Sequence, residues 1–200
     1  MLKIGITGGM GSGKTTVCKV FETLGIAVYY ADDKARQLMN ENREVRNSIK
    51  AFFGDDIYGS NNMLDRAKLA QKVFINASLL KQLETIVHPA VANDFEQWAN
   101  THKNALMPYI VKEAALLFES GSYRQLDKNI LVLASLEDRI ERIIKRDATT
   151  REMALQRIAK QWPDEQKEPL ADYILINNKD TLLLPQILKL HRLFSAGSLG

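Results

Sequence analysis

The residues Gly8-Gly9-Met10-Gly11-Ser12-Gly13-Lys14-Thr15 have the types and spacing that cradle a nucleoside triphosphate, reading G-x-x-x-x-G-K-T. Glycines let successive backbone N–H groups turn toward one concavity that side chains would otherwise fill. A helix starting behind them adds the positive end of its dipole. Lys14 then reaches the β- and γ-phosphates as a point charge, and the Thr15 hydroxyl is an oxygen ligand for Mg²⁺. Asp32 is of the type that accepts the proton of an attacking hydroxyl as a general base, with Asp33 as the fallback. Arg139, Arg142 and Arg146 fall at i, i+3 and i+7, on one face of a helix. The interleaved Glu137, Asp138 and Glu141 would suit a solvated face, but beside a phosphate loop such cations suit the charge of a phosphoryl group in transfer. Glu113 and Glu119 flank Ala114-Ala115-Leu116-Leu117-Phe118 and can orient substrate or metal-bound water.

These residues need a sheet edge to hold them. Leu2 to Thr7 reads as a buried parallel strand, and the apolar residues 17, 20, 21 and 24 repeat with helical period behind the glycine loop. Gly25 sits where a helix C-cap belongs, and Ile26 to Tyr30 is a second strand. Asp32 follows it and is expected to cap a helix from Asp33 to Asn40. Strand, helix, strand in so short a span is a βαβ unit, whose parallel strands share one carboxyl edge. The glycine loop and Asp32 are therefore expected on the same edge. From 34 to 105 the strand signal vanishes. Helices are expected from Glu44 to Phe53, from an Asp65 cap through Phe74, from Asn76 through Val87, and again from Pro89. That is too long for a crossover and reads as an inserted helical substrate lobe. Tyr109-Ile110-Val111, Asn129 to Ala134 and Tyr173 to Ile176 return to strand, Ser135 caps the arginine-bearing helix, and Thr181 to Phe194 closes with a helix. The stretch from Thr149 to Lys167, rich in Lys and Arg and poor in apolar residues, suits a lid. Ser195 to Gly200 reads as a frayed tail.

The expected architecture is α/β, a P-loop NTPase fold with a parallel sheet flanked by helices. Its nucleotide-binding core is 1–33, 106–140 and 168–200, its helical lobe 34–105 and its lid 141–167. Apolar content of 46% and charged content of 26% suit a soluble globular chain of this length, and a net charge of +3 is too small to argue for nucleic acid. Cys18 is the only cysteine, so no internal disulfide forms; it reads as a small buried apolar residue. No apolar run approaches the roughly 18 residues of a membrane span, and the first strand begins at once after Met1, so the expectation is a cytoplasmic chain without a leader. His88 before Pro89 reads first as structural, and His102 and His191 carry no signal.

Thr7 to Thr16, Ala31-Asp32, His88-Pro89, Leu116-Leu117-Phe118-Glu119, Arg146-Asp147, Arg157 with Gln161, and Ala171-Asp172 to Asn178 stand in the order and spacing of the dephospho-CoA kinase family. The chain resembles that family over nearly its whole length. The double glycine after Thr7, the Leu-Leu-Phe-Glu segment and the spacing to Ala171-Asp172 separate it from other P-loop kinases. The resemblance implies ATP-dependent phosphorylation of the 3′-hydroxyl of dephospho-CoA, with ATP and Mg²⁺ bound, a helical CoA lobe and a lid. It puts the ATP phosphates on Gly11, Ser12, Gly13, Lys14, Thr15 and Thr16, the base at Asp32, lid cations at Arg142 and Arg146, and the adenine near Asn177 and Asn178. Thr7, His88, Glu113 and Leu116 are candidate substrate contacts. The family usually has Asp-Ala-Asp where this chain has Tyr30-Ala31-Asp32, a proline at Ala115 and an aspartate at Asn177. No nucleic-acid or membrane partner is expected, and the chain is expected as a monomer or weak homo-oligomer. The alternatives are another small-molecule kinase, for a nucleoside monophosphate or a sugar, or a nucleotide-switched binding protein.

Overall fold

The computed structural model describes residues 1–103 and 107–196, the Ala77 side chain excepted. The chain forms two compact units, Met1–Tyr30 with His102–Gly200, and Ala31–Thr101.

The first unit carries five parallel strands, β1 (Leu2–Gly8), β2 (Val28–Tyr30), β3 (Tyr109–Glu113), β4 (Lys128–Leu133) and β5 (Tyr173–Ile176), in the order β2-β3-β1-β4-β5. Alternation sorts their side chains: Ile4 and Ile6, Tyr109 and Val111, Ile130 and Val132 share one face. Helices α1 (Lys14–Thr23) and the C-terminal Leu183–Ala196 cover that face, through Val17, Cys18 and Phe21 on one side and Ile187, Leu190 and Phe194 on the other. Each such side chain contributes roughly 1.5–3 kcal/mol by leaving water. Phe194 packs edge-on against both Tyr109 and Tyr173, which ties the last helix to two strands. Of the expected tail, Ser195 and Ala196 are helical, and 197–200 lie outside the described residues, as do the expected limits at 105 and 106.

The second unit consists of α2 (Ala31–Glu41), α3 (Arg43–Phe53), α4 (Arg66–Ile75) and α5 (Ala77–Thr101), with a short 3₁₀ turn at Asp55–Ile57. Asn42 caps α3 through the N–H groups of Glu44 and Val45, and Gly54 ends it at φ 95°, a conformation that favours glycine. Asp65 caps α4 as expected. Val45, Ile49, Phe53, Ile57 and Leu69 form this unit's own core.

Two expectations fail here. Asp32 is not a cap, because α2 starts one residue earlier, at the buried Ala31. Asp32 and Asp33 occupy the first turn instead, where the helix dipole favours acids, and they belong to the helical unit, not to the strand-bearing one. Pro89 does not start a new helix but lies inside the single helix α5. Its missing N–H and ring would normally break a helix. Here Thr85, His88 and Pro89 are exposed, so solvent can serve the orphaned carbonyl, while Val87, Val91, Phe95 and Ala99 continue one buried stripe across the proline.

After β4 come α6 (Leu136–Asp147), α7 (Arg151–Ile158) and the single turn α8 (Asp164–Lys167); the C-terminal helix is α9. Ser135 caps α6 through the N–H of Asp138, as its sequence predicts. No helix among the described residues is long and apolar enough to cross a membrane.

Candidate nucleotide-binding site

The glycine loop joins β1 to α1 and is shaped by neighbours that leave no room for side chains. Gly13 forms the N-cap of α1 in the left-handed region, at φ 96°, and a Cβ there would fall on the Asn177 amide nitrogen. A Cβ on Gly11, at φ 80°, would lie 2.6 Å from the Arg139 carbonyl oxygen. Behind the loop the first turn of α1 presents the N–H groups that no helix satisfies internally. Lys14 folds back to donate to the carbonyls of Gly8 (2.9 Å) and Gly9 (3.5 Å). Thr15 and Thr16 are exposed on the first turn, and Ser12 is buried with its Oγ unpartnered among the described residues.

The arginines of α6 share a face in sequence but not a role. Arg139 is buried; its Nε donates to the Met10 carbonyl (2.9 Å) and its Nη1 to Asp164 Oδ2 (3.1 Å). Arg142 is half-buried and spans the loop, donating to the carbonyls of Gly11 (3.2 Å), Ser12 (3.4 Å) and Asn177 (2.8 Å). Arg146 points to solvent and forms a bidentate pair with Asp147, which Arg157 also contacts. The Arg146 guanidinium holds the Asp147 carboxyl below its ordinary range. A solvated face therefore describes Arg146 and neither of the other two.

Asn177 continues directly from β5, where its N–H pairs with the Leu133 carbonyl, and its side chain donates to the Ser12 carbonyl (2.8 Å). Asn178 Oδ1 accepts from the Ser135 N–H at the start of α6 (2.8 Å). At the end of β3, Glu113 is buried in register with Ile6 and Tyr30. Thr7 is buried, with its hydroxyl 3.5 Å from the Ala115 carbonyl, and Leu116 is the exposed member of its apolar run while Leu117 and Phe118 are buried. The structure thus assembles Thr7, Gly8 to Thr16, Arg142, Asn177 and Asn178 within one unit. Asp32 and His88 belong to the other unit, where both are exposed, so His88 is not a core histidine.

Tyr30, standing where an aspartate is usual, cannot replace it as a carboxylate. Burial, the neighbouring Cys18, and a hydrogen bond to Glu22 push its phenol well above the ordinary tyrosine range, so it stays protonated. Burial does the same to the Cys18 thiol, which is inert packing as expected.

In the sequence Gln161 is marked only by the family resemblance, with no role attached, and Asp164 and Lys167 carry no distinguishing local signal. Gln161 accepts from the Met10 N–H at 2.6 Å and donates to the Ala115 carbonyl at 3.3 Å. Asp164 anchors Arg139, and Lys167 is wholly buried. His191 also gains a role, as the partner of the buried Tyr109 hydroxyl at 2.8 Å.

The glycine loop, the parallel sheet and the cations around them agree with what comparison with known proteins finds. The family model of dephospho-CoA kinase (CoaE) matches residues 2–182. A dephospho-CoA kinase of Chlorobium chlorochromatii is 39% identical over 181 residues, covering 88% of this chain and 85% of that one. The crystal structure of TT1252 from Thermus thermophilus superposes with a TM-score of 0.82 at 33% identity, covering 98% of this chain and 97% of that one. The dephospho-CoA kinase of Campylobacter jejuni superposes with a TM-score of 0.71 at 28% identity, covering 98% of both chains. With the loop, the strand order and the family match in agreement over nearly its full length, this chain belongs to the dephospho-CoA kinase family.

Proposed function

We propose that the chain transfers the γ-phosphoryl group of ATP to the 3′-hydroxyl of dephospho-CoA, giving coenzyme A and ADP, the last step of coenzyme A synthesis. The observation that carries this reading is the glycine loop between β1 and α1 in a chain of this family. Gly11, Ser12, Gly13, Thr15 and Thr16 hold the phosphates, largely through backbone N–H groups, and Ser12 Oγ gains a partner in them. Lys14 moves from the Gly8 and Gly9 carbonyls to the β- and γ-phosphates. Asn177 and Asn178 border the adenine. Arg142 and Arg146 meet the charge of the transferring group.

The exposed Thr15 hydroxyl is a hard oxygen donor at the loop's mouth. No group of three or more His, Cys, Asp and Glu among the described residues could hold a metal ion by itself. That donor set fits Mg²⁺, which takes one or two protein oxygens, keeps several waters and binds substrate phosphates. When bound, the ion neutralises charge on the oxygens of the β- and γ-phosphates.

Asp32 is the base in this reading. It follows two residues after β2, which runs parallel to β1 in one sheet, and ligands of such sheets bind at the carboxyl edge. Asp33, the fallback, is paired with Arg36 at 2.8 Å. The helical unit Ala31–Thr101 receives the CoA moiety, with His88 on its α5 and with Thr7, Glu113 and Leu116 of the other unit as further contacts; the lid lies within 141–167. The enzyme works in the cytoplasm, as a monomer or weak homo-oligomer, with no nucleic-acid or membrane partner.

An ADP-release assay with Mg-ATP and a panel of acceptors tests the reading. Turnover with dephospho-CoA should far exceed that with AMP, CMP, shikimate or gluconate, and equal turnover of any of these overturns it. Asp32→Asn should fold, bind ATP almost normally and lose at least about 10²-fold in kcat. Near-normal kcat in a variant shown folded by a thermal melt removes Asp32 from the base role.

A further inference from the structure

Both backbone groups of Met10, at the centre of the glycine loop, are held by residues far along the chain. Gln161 takes its N–H and Arg139 its carbonyl. Arg139 is in turn fixed by Asp164, and its guanidinium fills the space that a Cβ on Gly9 would occupy. Asp164 Oδ1 lies 3.9 Å from Lys167 Nζ, and Lys167 Nζ lies 3.5 Å from Glu119 Oε1. Glu119 Oε1 also accepts from the Trp162 N–H at 3.3 Å. The result is a chain of alternating charge, Arg139, Asp164, Lys167, Glu119, whose side chains are 9%, 21%, 0% and 13% exposed.

Lys167 is the least solvated of the four. A buried ammonium without compensation is very costly, and here the compensation is two carboxylates at ion-pair range. Lys167 Nζ, Asp164 Oδ1 and Glu119 Oε2 have no hydrogen-bond partner among the described residues, so charge balance, not direct hydrogen bonding, joins Lys167 to its neighbours. Without that ammonium, Glu119 would lose its cation and Asp164 would keep only the Arg139 guanidinium. Asp164 would be driven outward toward water, and Arg139 would lose the anchor that holds it on Met10.

We propose that Lys167 is a positioning residue for the glycine loop, acting through Asp164 and Arg139 to fix the loop in its phosphate-binding form. The segment Gln161–Lys167 is then part of the nucleotide scaffold, and lid movement is confined to residues before it. The inference rests on the reading of the loop as an ATP site but not on the identity of the acceptor. Its test therefore measures Mg-ATP binding with no acceptor present.

Isothermal titration of Mg-ATP into the full chain compares wild type with Lys167→Met, Arg139→Lys and the double variant Glu119→Gln/Lys167→Met. Lys167→Met should weaken ATP binding at least about tenfold. Arg139→Lys keeps the charge but cannot bond Met10 and Asp164 through one planar fork, and should weaken ATP binding at least about fivefold. The double variant leaves Arg139 and Asp164 charge-balanced and should recover ATP affinity to within about threefold of wild type. A purely structural role would lower the active fraction and leave the affinity of the folded fraction unchanged, and that result overturns the proposal. So does a double variant as impaired as the single one. If Lys167→Met does not fold, the other two variants decide: wild-type ATP affinity in Arg139→Lys, or weakened affinity in the double variant, overturns it.

Discussion

Helix α7 and the segment Gln161–Lys167 are neighbours in sequence, both lie in the expected lid, and both are rich in charge, yet they are held in opposite ways. α7 rests on an apolar contact of Ile140 and Ile143 with Ala154, flanked by exposed ion pairs at its two ends, Glu137 with Arg151 and Asp147 with Arg157. Gln161–Lys167 has almost no apolar anchor and is held by buried charges and by bonds to the backbone of the glycine loop. Exposed pairs exchange protein contacts for water at little net gain, whereas a buried pair, once formed, is strongly destabilised by loss of either partner. Two stretches of similar composition should therefore respond very differently to the same kind of mutation. The one held by an apolar contact and surface pairs rests on α6, while the one held by buried charge bonds the backbone of the glycine loop, directly through Gln161 and by way of Arg139.

The largest effect that tests this contrast is at Arg139. Arg139→Met strips the Met10 carbonyl of its donor and leaves Asp164 short of a cation, and should cost about 3–5 kcal/mol in urea unfolding. A cost under about 1 kcal/mol would place the buried chain with ordinary surface pairs and break the comparison. Next comes Ile143→Ala, which opens the apolar contact beneath α7 and should cost about 2–4 kcal/mol. Its signature is local: amide exchange measured by mass spectrometry should rise across α7 and stay unchanged across Gln161–Lys167. Exchange rising equally in both would mean that they open as one body.

Smaller still is the Glu137–Arg151 pair, both partners of which are largely exposed. Neutralising either should shift Tm by no more than about 1 °C, and the shift should vanish in about 0.5 M salt. The smallest effect is a pH dependence at Asp147. Its folded-state pKa is depressed, chiefly by the hydrogen bond from Arg146, so its stabilising contribution is present above the unfolded carboxylate value and is lost as pH falls through the folded one. Exchange protection of α7 should therefore decline slightly in acid, below about pH 4. In Asp147→Asn that decline should be absent; an unchanged acid limb would assign it to another carboxylate.

Local signals carried much of this structure. The G-x-x-x-x-G-K-T string, its position between a strand and a helix, and the caps at Asp65 and Ser135 depend on residues within about four positions of one another, and the fold places each as read. The arginine triplet was only half legible. Spacing put Arg139, Arg142 and Arg146 on one face, but it could not tell which would turn to the glycine loop and which to water, because that depends on what the helix packs against. Pro89 shows the limit of a local breaker: a buried stripe on the opposite face of α5 carried the helix through it.

What the sequence alone determined is the phosphate loop and the order of the strands, written in periodicity and motif spacing, and the family, through its resemblance in motifs along nearly the whole chain. Only the tertiary structure decided that Asp32 opens a helix of the second unit, that the Tyr30 phenol is pushed above its ordinary range, and that Lys167 is buried. The physical reason is plainest at Lys167. The cost of burying a charge is set by partners brought in from distant positions, as Glu119, Arg139 and Asp164 are for Lys167, and no local pattern announces that such partners will meet.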